Sequence, residues 1–444
     1  MTLCEYCDKL RGKRIAVLGY GISNKPLVEL LLGHGLDVTV RDKRECTVPD
    51  ARVICGDDYL AELTEDVIFR SPGIMPHMPE IAAAVRRGAV LTSEIEAFFE
   101  VCPCKIIAVT GSDGKTTTTT LIGEMLSAEG KTVHIGGNIG TPLFTRADTI
   151  NPDGFAVLEL SSFQLITMRQ SPAIAVVTNL GPNHLDIHTD LTEYIESKRN
   201  IFLHQNPTDL LVLNAKNEIT QGFANEAIGA VRFFNAEDSE HGVCLRNSEL
   251  LCNGSAVMAT EDIIIPGTHN LENYMAAIAA LTGIVSFENM RKVARKFGGV
   301  EHRIELVRTL DGVQYYNSSI DSSPARTIAA LGAFDQKVIL IAGGKDKGVP
   351  FDSLGTPIRE RVKALVLTGM TADPIKHAVE RSAGYDGQPE ITVSETFEGA
   401  VFAARAYAKP GDVVLLSPAS TSFDRFSNFE ERGNIFKEIV NGLT

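Results

Sequence analysis

Lys115 follows a short glycine-bracketed turn, Thr110-Gly111-Ser112-Asp113-Gly114, and precedes two hydroxyls, Thr116 and Thr117. The apolar run Ile106 to Val109 leads into it, so a buried strand hands over to a helix whose first N–H groups face the turn. Those groups and the helix dipole suit phosphate oxygens. Lys115 supplies a point charge to terminal phosphates, and the Thr116 hydroxyl can sit on Mg²⁺. Only Ser112 and Asp113 separate Gly111 from Gly114-Lys115, where the general pattern has four residues, so this is a shortened phosphate loop.

Further along, Glu159 interrupts the apolar run Phe155 to Leu160. A carboxylate there is costly unless paired or metal-bound, which makes it a candidate Mg²⁺ ligand. Asp190 is placed to cap a helix, with Glu193 three residues on, and Tyr194, Ile195, Ile201 and Phe202 form one apolar face with Lys198 at its centre. Burial lowers a lysine's pKa, and a neutral amine can take up CO₂ as a carbamate, giving an anionic metal ligand; the other reading is a snorkelling lysine. Asn138 lies in the permissive loop Gly136 to Gly140, and His184 lies beyond the apolar strand Ala173 to Thr178. Asn270 and Asn273 open a helical stretch, either to read the edges of an adenine or to cap the helix.

The elements around these residues alternate strand and helix. Arg14 to Leu18 runs into Gly19-Tyr20-Gly21-Ile22-Ser23-Asn24, a helical pattern starts near Pro26, and Leu36 to Val40 ends at Arg41-Asp42-Lys43-Arg44. This has the form of a nucleotide-binding βαβ unit with an asparagine for the third glycine, and the basic run around Asp42 suits a phosphorylated nucleotide, or is a solvated turn. A third strand, Asp66 to Phe69, stops at Ser71-Pro72-Gly73, and Cys102 to Lys105 marks a boundary. After a strand at Asp209 to Leu213 the pattern is polar and less readable up to about Thr260. Phe297 to Arg303 marks a second boundary, followed by strands at Lys337 to Ala342, Lys363 to Leu367 and Asp412 to Leu416.

A chain of 444 residues suggests about three domains at roughly 150 residues each. The net charge of -14 argues against a nucleic-acid partner. No apolar run reaches the roughly 18 residues of a membrane span, and no secretory segment opens the chain, so a cytoplasmic location is expected. Eight scattered cysteines do not form a disulfide framework, and Cys4 and Cys7 lack a second ligand pair for zinc.

Taken in order, Gly111 to Thr117, Glu159-Leu160-Ser161-Ser162-Phe163-Gln164, His184, Lys198, Gly267 to Asn273 and Glu301-His302-Arg303-Ile304-Glu305 resemble the Mur ligase family of ATP-dependent amide-bond-forming enzymes. Leu416-Ser417-Pro418-Ala419, Ser422, Asp424, Phe426, Asn428-Phe429-Glu430 and Arg432-Gly433 resemble its D-glutamate-adding branch, as do Gly19 to Ser23, Asp42 to Arg44 and Ser71 to Gly73. The resemblance implies an α/β, three-domain Mur ligase architecture: a Rossmann-like N-terminal domain over 1–103, a central P-loop ATPase domain over 104–300, and an α/β C-terminal domain over 301–444. It implies small-molecule substrates, UDP-N-acetylmuramoyl-L-alanine and D-glutamate, with ATP and Mg²⁺, in a monomer acting in peptidoglycan precursor synthesis with no nucleic-acid or membrane partner.

By that resemblance Gly21, Ile22, Ser23, Asp42, Lys43, Arg44, Ser71, Pro72 and Gly73 hold the UDP end of the substrate, with Asn138 and His184 further along it. ATP falls to Thr110, Gly111, Ser112, Asp113, Gly114, Lys115, Thr116 and Thr117, with adenine near Asn270 and Asn273 and the ribose and phosphates near Arg303. Thr116, Glu159, His184 and carbamylated Lys198 position Mg²⁺; Lys115, Glu159, His184 and Lys198 carry the catalysis; Lys347, Ser422 and Phe429 hold D-glutamate. Closure of the C-terminal domain over ATP is also implied. One departure stands out: the family's acid after Asn317 is here Ser318, and Asp321 is the substitute, expected one helical turn on. Competing readings are a family member adding another amino acid, folylpolyglutamate synthase, a regulatory ATPase that kept the fold, and a NAD-dependent dehydrogenase, which the missing third glycine weighs against.

Overall fold

In a computed structural model of the chain, residues 1–182, 187–240 and 242–444 are described. The backbone builds three sheets. The first contains β1 (Arg14–Leu18), β2 (Asp37–Asp42), β3 (Arg52–Cys55), β4 (Val67–Arg70) and β5 (Val90–Thr92) in the order β3-β2-β1-β4-β5, all parallel. The reading from sequence missed β3, whose residues are only partly buried because it is an edge strand.

The second sheet holds β6 (Lys105–Thr110), β7 (Val133–Gly137), β8 (Phe155–Glu159), β9 (Ile174–Val177), β10 (Leu210–Asn214), β11 (Ala230–Phe234), β12 (Gly242–Arg246), β13 (Glu249–Cys252) and β14 (Ser255–Ala259). Its order is β14-β13-β12-β11-β10-β9-β6-β8-β7, with β12, β13 and β14 antiparallel. These last strands occupy the stretch that looked less readable: they are short and joined by tight turns at Asn247-Ser248 and Asn253-Gly254.

The third sheet consists of β15 (Glu305–Leu310), β16 (Val313–Asn317), β17 (Val338–Ala342), β18 (Val362–Thr368), β19 (Glu390–Ser394) and β20 (Val413–Leu416), ordered β15-β16-β20-β17-β18-β19. Only the β15–β16 hairpin is antiparallel; the strand ending at Tyr315-Tyr316 was expected from sequence, whereas β15 and β19 were not.

By contacts the chain forms two compact units, Met1–Asp262 with Glu272–Val293, and Ile263–Leu271 with Ala294–Thr444. Within the first, one apolar core joins Ile15, Val17 and Phe69 of the first sheet to Ile106, Ala108 and Leu158 of the second, although Pro103 in the segment between them is exposed. In the second, the two faces of the third sheet carry separate clusters, one around Leu340 and Leu365, the other around Ile339 and Val366. That is the even–odd alternation of a parallel sheet covered on both faces. Among the described residues no helix is long and apolar enough to cross a membrane.

Candidate functional site

The phosphate loop leaves the end of β6, between β8 and β9, the kind of position where open α/β sheets bind ligands. Thr178 Oγ1 donates to Asp113 O at 2.6 Å, and Asn179 O accepts Ser112 N at 2.8 Å, so the residues after β9 hold the loop open. Gly111 and Gly114 have φ of 150° and 77°; a Cβ on Gly111 would overlap Thr178 Oγ1, and one on Gly114 would overlap Asn273 Oδ1. Glycine is required at both. The helix Lys115–Ala128 begins here with Gly114 as its cap and no side-chain cap bond, which leaves first-turn N–H groups for an anion. Lys115 Nζ donates to Gly111 O at 3.0 Å and Ser112 O at 2.9 Å, curled over the same loop.

Register does the rest. Val109 pairs with Glu159 across β6 and β8, which sets the Glu159 side chain beside the start of the helix. Glu159 is 2% exposed; its carboxylate accepts Thr116 Oγ1 at 2.6 Å and Asn138 Nδ2 at 2.7 Å. Both partners are neutral, so a buried negative charge faces Thr116 without an ion pair among the described residues, an arrangement that fits a cation. Asn138 is brought in by its own exposed loop after β7.

Lys198 lies on the helix Leu191–Arg199, capped by Asp190 accepting Glu193 N as expected. Its side chain is 1% exposed, flanked by buried Tyr194, Ile201 and Phe202. Nζ donates to Thr110 Oγ1 at 3.1 Å and Gly111 O at 2.9 Å and stands 4.9 Å from the Tyr194 ring centroid. Burial, helped by the Lys115 cation, drives its pKa well below the ordinary lysine value. The snorkelling reading is therefore excluded by burial. His184 lies outside the described residues. Asn273 is buried behind the loop, its Oδ1 accepting Thr118 Oγ1 at 3.3 Å.

At the N-terminal sheet, β1 lies between β2 and β4, and the turns after β1 and β4 pack together: a Cβ on Gly19 would come 2.9 Å from Ser71 Cβ. Asp42 accepts Tyr20 N at 2.6 Å and Arg44 N at 2.8 Å, shaping the turn around Gly21, Ile22 and Ser23. Lys43 and Arg44 are exposed beside it, as is Ile22. Arg41, read from sequence as part of the same basic run, belongs elsewhere: it is buried, paired with Glu65 at 3.0 Å and bonded to Tyr59 O and Ala61 O. Asn24, in place of the third glycine, donates to Leu18 O and Gly19 O and so closes the turn with its side chain.

Two residues that sequence reasoning passed over hold the segment after Glu159. His188 Nε2 lies 2.9 Å from Ser162 Oγ and Nδ1 3.1 Å from Glu193 Oε2, with its ring stacked on Phe163 at 5.0 Å. Arg70 reaches the same segment from β4. Glu193 as capping partner was a visible clue to His188; nothing in the sequence singled out Arg70.

In the second unit, β20 lies between β16 and β17, and the residues beyond their ends meet. Asp321 accepts Ser417 Oγ at 2.8 Å and the Ser318 hydroxyl, while Ser318 Oγ accepts Ile304 N at 3.2 Å, next to Arg303. The helical turn expected between 318 and 321 is instead a loop turn, closed by Asp321 N to Ser318 O; the helix starts at Pro324. Proline there excludes helix from the residue before it. Burial pushes the Asp321 carboxyl up to about 6. Arg432, picked out from sequence as part of the branch motif but given no role there, is buried and binds Ser319 Oγ, Ser319 O and Ser420 O, tying the ends of β16 and β20 together; burial lowers its pKa to about 10. Ser422 is buried in the same loop, Phe429 opens the final helix with its carbonyl bonded by Ser319 Oγ, and Lys347 reaches Ser322 Oγ at 3.3 Å. Asn270 Nδ2 donates to Pro266 O at 2.6 Å at the start of its helix.

Residues 109–281 match the Mur ligase middle domain and residues 302–420 the Mur ligase glutamate ligase domain. The chain is 50% identical to a UDP-N-acetylmuramoylalanine--D-glutamate ligase of Ruminiclostridium cellulolyticum, covering 99% of this chain and 98% of that one. A ligase of the same name from Acetivibrio thermocellus is 49% identical, with 99% of each covered. Among solved structures, UDP-N-acetylmuramate-alanine ligase MurC of Thermotoga maritima aligns with TM-score 0.58 at 17% identity over 97% of this chain and 99% of that one. MurF of Acinetobacter baumannii aligns with TM-score 0.59 at 16% identity over 96% and 90%. At such identities these two speak for the fold alone.

Proposed function

Because the chain belongs to the Mur ligase family, we propose that it joins the amine of D-glutamate to the L-alanyl carboxylate of UDP-N-acetylmuramoyl-L-alanine at the expense of ATP, a step in peptidoglycan precursor synthesis. Identity of about half the residues over the full length of ligases bearing that name carries this reading. The substrates are water-borne nucleotides and an amino acid, which supports a cytoplasmic location.

A carboxylate and an amine do not condense in water at a useful rate, so the carboxylate must first carry a leaving group. Its oxygen attacks the γ-phosphorus of ATP in line, the new O–P bond forms, and the bridging bond breaks as ADP leaves. The glutamate nitrogen then attacks the acyl carbon, loses a proton, and phosphate departs with the C–O electron pair. The protein's part in this is positioning and electrostatics.

Lys115, curled over Gly111 O and Ser112 O, turns its ammonium to the β- and γ-phosphates, while the loop and first-turn N–H groups cradle them. Thr116 and Glu159, already in contact, would hold Mg²⁺ together with His184 and a carbamylated Lys198. Bound Mg²⁺ would offset charge on the transferring phosphoryl group. The depressed basicity of Lys198 favours the neutral amine that reacts with CO₂. The turns at Gly21 to Ser23, Asp42 to Arg44 and Ser71 to Gly73, with Asn138, hold the UDP-linked substrate. Asn270 and Asn273 hold the adenine of ATP, Arg303 its ribose and phosphates, and Asp321 stands in for the nucleotide-associated acid, while Lys347, Ser422 and Phe429 hold D-glutamate.

The test is phosphate release with ATP and UDP-N-acetylmuramoyl-L-alanine across a panel of D- and L-amino acids. D-Glutamate alone should drive turnover. Release driven by another amino acid would assign the chain to a different step, and no amino-acid dependence would make it an ATPase of another purpose.

A further inference from the structure

Arg70, the last residue of β4, is 1% exposed, and among the described residues no carboxylate touches its guanidinium. Nη1 donates to Pro72 O at 3.4 Å and Ile74 O at 3.2 Å. Nη2 donates to Phe163 O at 2.5 Å and Thr167 Oγ1 at 3.2 Å. Nε is buried with no partner. One planar group thus grips the Ser71-Pro72-Gly73 turn from one side and, from the other, the short helix Ser162–Leu165 that follows Glu159.

The far side of this grip is itself braced. Thr167 Oγ1 donates to Glu96 Oε2 at 3.2 Å, and Ser93 Oγ donates to the same oxygen at 2.8 Å. The helix Ser162–Leu165 carries a capping box between Ser161 and Gln164 and is clasped on another face by His188 through Ser162. Burying a guanidinium on neutral carbonyls is expensive, and burial lowers its pKa to about 10. An apolar side chain of similar length would fill the space without that cost, so what the guanidinium adds is direction: it fixes the distance and angle between two segments.

The geometry points to Arg70 as a positioning residue for the UDP-linked substrate. It holds the turn that receives the nucleotide end in register with the Glu159 segment, towards which the reacting carboxylate is delivered. This rests on the substrate assignment made above. Lysine cannot replace it, because a compact ammonium cannot span acceptors on both segments at once.

Steady-state kinetics of full-length Arg70→Lys and Thr167→Val, with each of the three substrates varied in turn, test the role alongside thermal unfolding. Arg70→Lys should raise KM for UDP-N-acetylmuramoyl-L-alanine about tenfold or more while KM for ATP and D-glutamate stays within about twofold. Thr167→Val should shift the same KM in the same direction by about two- to fivefold, and the double variant should fall short of the product of the two effects. A merely structural arginine would lower the melting temperature and the active fraction and leave the KM values alone, or raise all of them together; either result overturns the proposal. If Arg70→Lys does not fold, Thr167→Val, which loses a hydroxyl at almost constant volume, decides the matter alone. Wild-type protein without D-glutamate-dependent phosphate release would defeat the function reading instead, so the two failures are distinguishable.

Discussion

Asp321→Asn should make the C-terminal unit more stable and the enzyme worse. The Asp321 side chain is 6% exposed, and burial raises its pKa from 3.8 to about 6 against the opposing pull of the Ser318 and Ser417 hydroxyls. A carboxyl whose folded pKa lies above its unfolded one contributes stability that is complete below the unfolded value and is lost as pH rises through the folded value. A rise of about two units at about 1.4 kcal/mol each is a loss of about 3 kcal/mol by pH 8. Asparagine keeps an oxygen for both hydroxyls and carries no charge. Urea unfolding should therefore show the variant more stable at pH 8 by up to about 3 kcal/mol, an advantage that fades on the way down to about pH 4. The anion stands beside Ser318, where the family ordinarily has its acid, so removing it should also raise KM for ATP by about tenfold. A variant no more stable at pH 8 would refute the burial argument, and an unchanged KM for ATP would refute the substitution of Asp321 for the missing acid.

If the Lys115 charge acts on the transferring phosphoryl group as proposed, Lys115→Ala should lower kcat by about a thousandfold with circular dichroism unchanged; near-normal phosphate release would reject the role. Lys198→Ala should be inactive in plain buffer and recover measurable turnover with added formate or acetate, whose carboxylates replace the carbamate; indifference of the variant to these acids and of the wild type to bicarbonate would sink the carbamate. Glu94, buried with Oε1 accepting Phe144 N at 3.0 Å, is raised by burial from 4.5 to about 7. Its contribution is complete below about pH 4.5 and lost through about pH 7, so Glu94→Gln should raise the melting temperature at pH 8 by several degrees and leave it unchanged at pH 4, read by calorimetry.

How much of this was legible depended on whether a residue's meaning was local. The phosphate loop was readable because strand, glycines and lysine act over a dozen consecutive residues, and the helix at Lys198 because its cap and its apolar face repeat with one period. Arg41 and Arg70 show where local reading ends. Each is an arginine near the end of a strand of the first sheet; one was assigned to a nucleotide, the other to nothing, and both are buried. Their partners, Glu65 for Arg41 and Phe163 and Thr167 for Arg70, are 24 and 93 or more residues away, beyond any window of pattern. Ser318 and Asp321 were noticed from a family habit, yet the loop turn that joins them depended on Pro324 stopping the helix from starting earlier.

The same limit explains why Glu159 could be suspected from its costly place in an apolar run, while its contact with Thr116 could not be derived. That contact depends on strand register. β6 pairs with β8 so that Val109 faces Glu159, and the next residue, Thr110, ends the strand before the loop. A slip of one residue would turn Glu159 to the opposite face of the sheet, away from the helix that starts at Lys115. The register is held by buried side chains on both faces, Ile107 and Val157 on one and Ala108 and Leu158 on the other, so a change deep in this strand pair is felt at the carboxylate. The position of the Glu159 carboxylate is thus set by apolar residues inside the sheet. Overpacking with Ala108→Val should reduce turnover through misplacement of Glu159, while KM for D-glutamate, whose proposed site at Lys347, Ser422 and Phe429 lies in the other unit, stays unchanged.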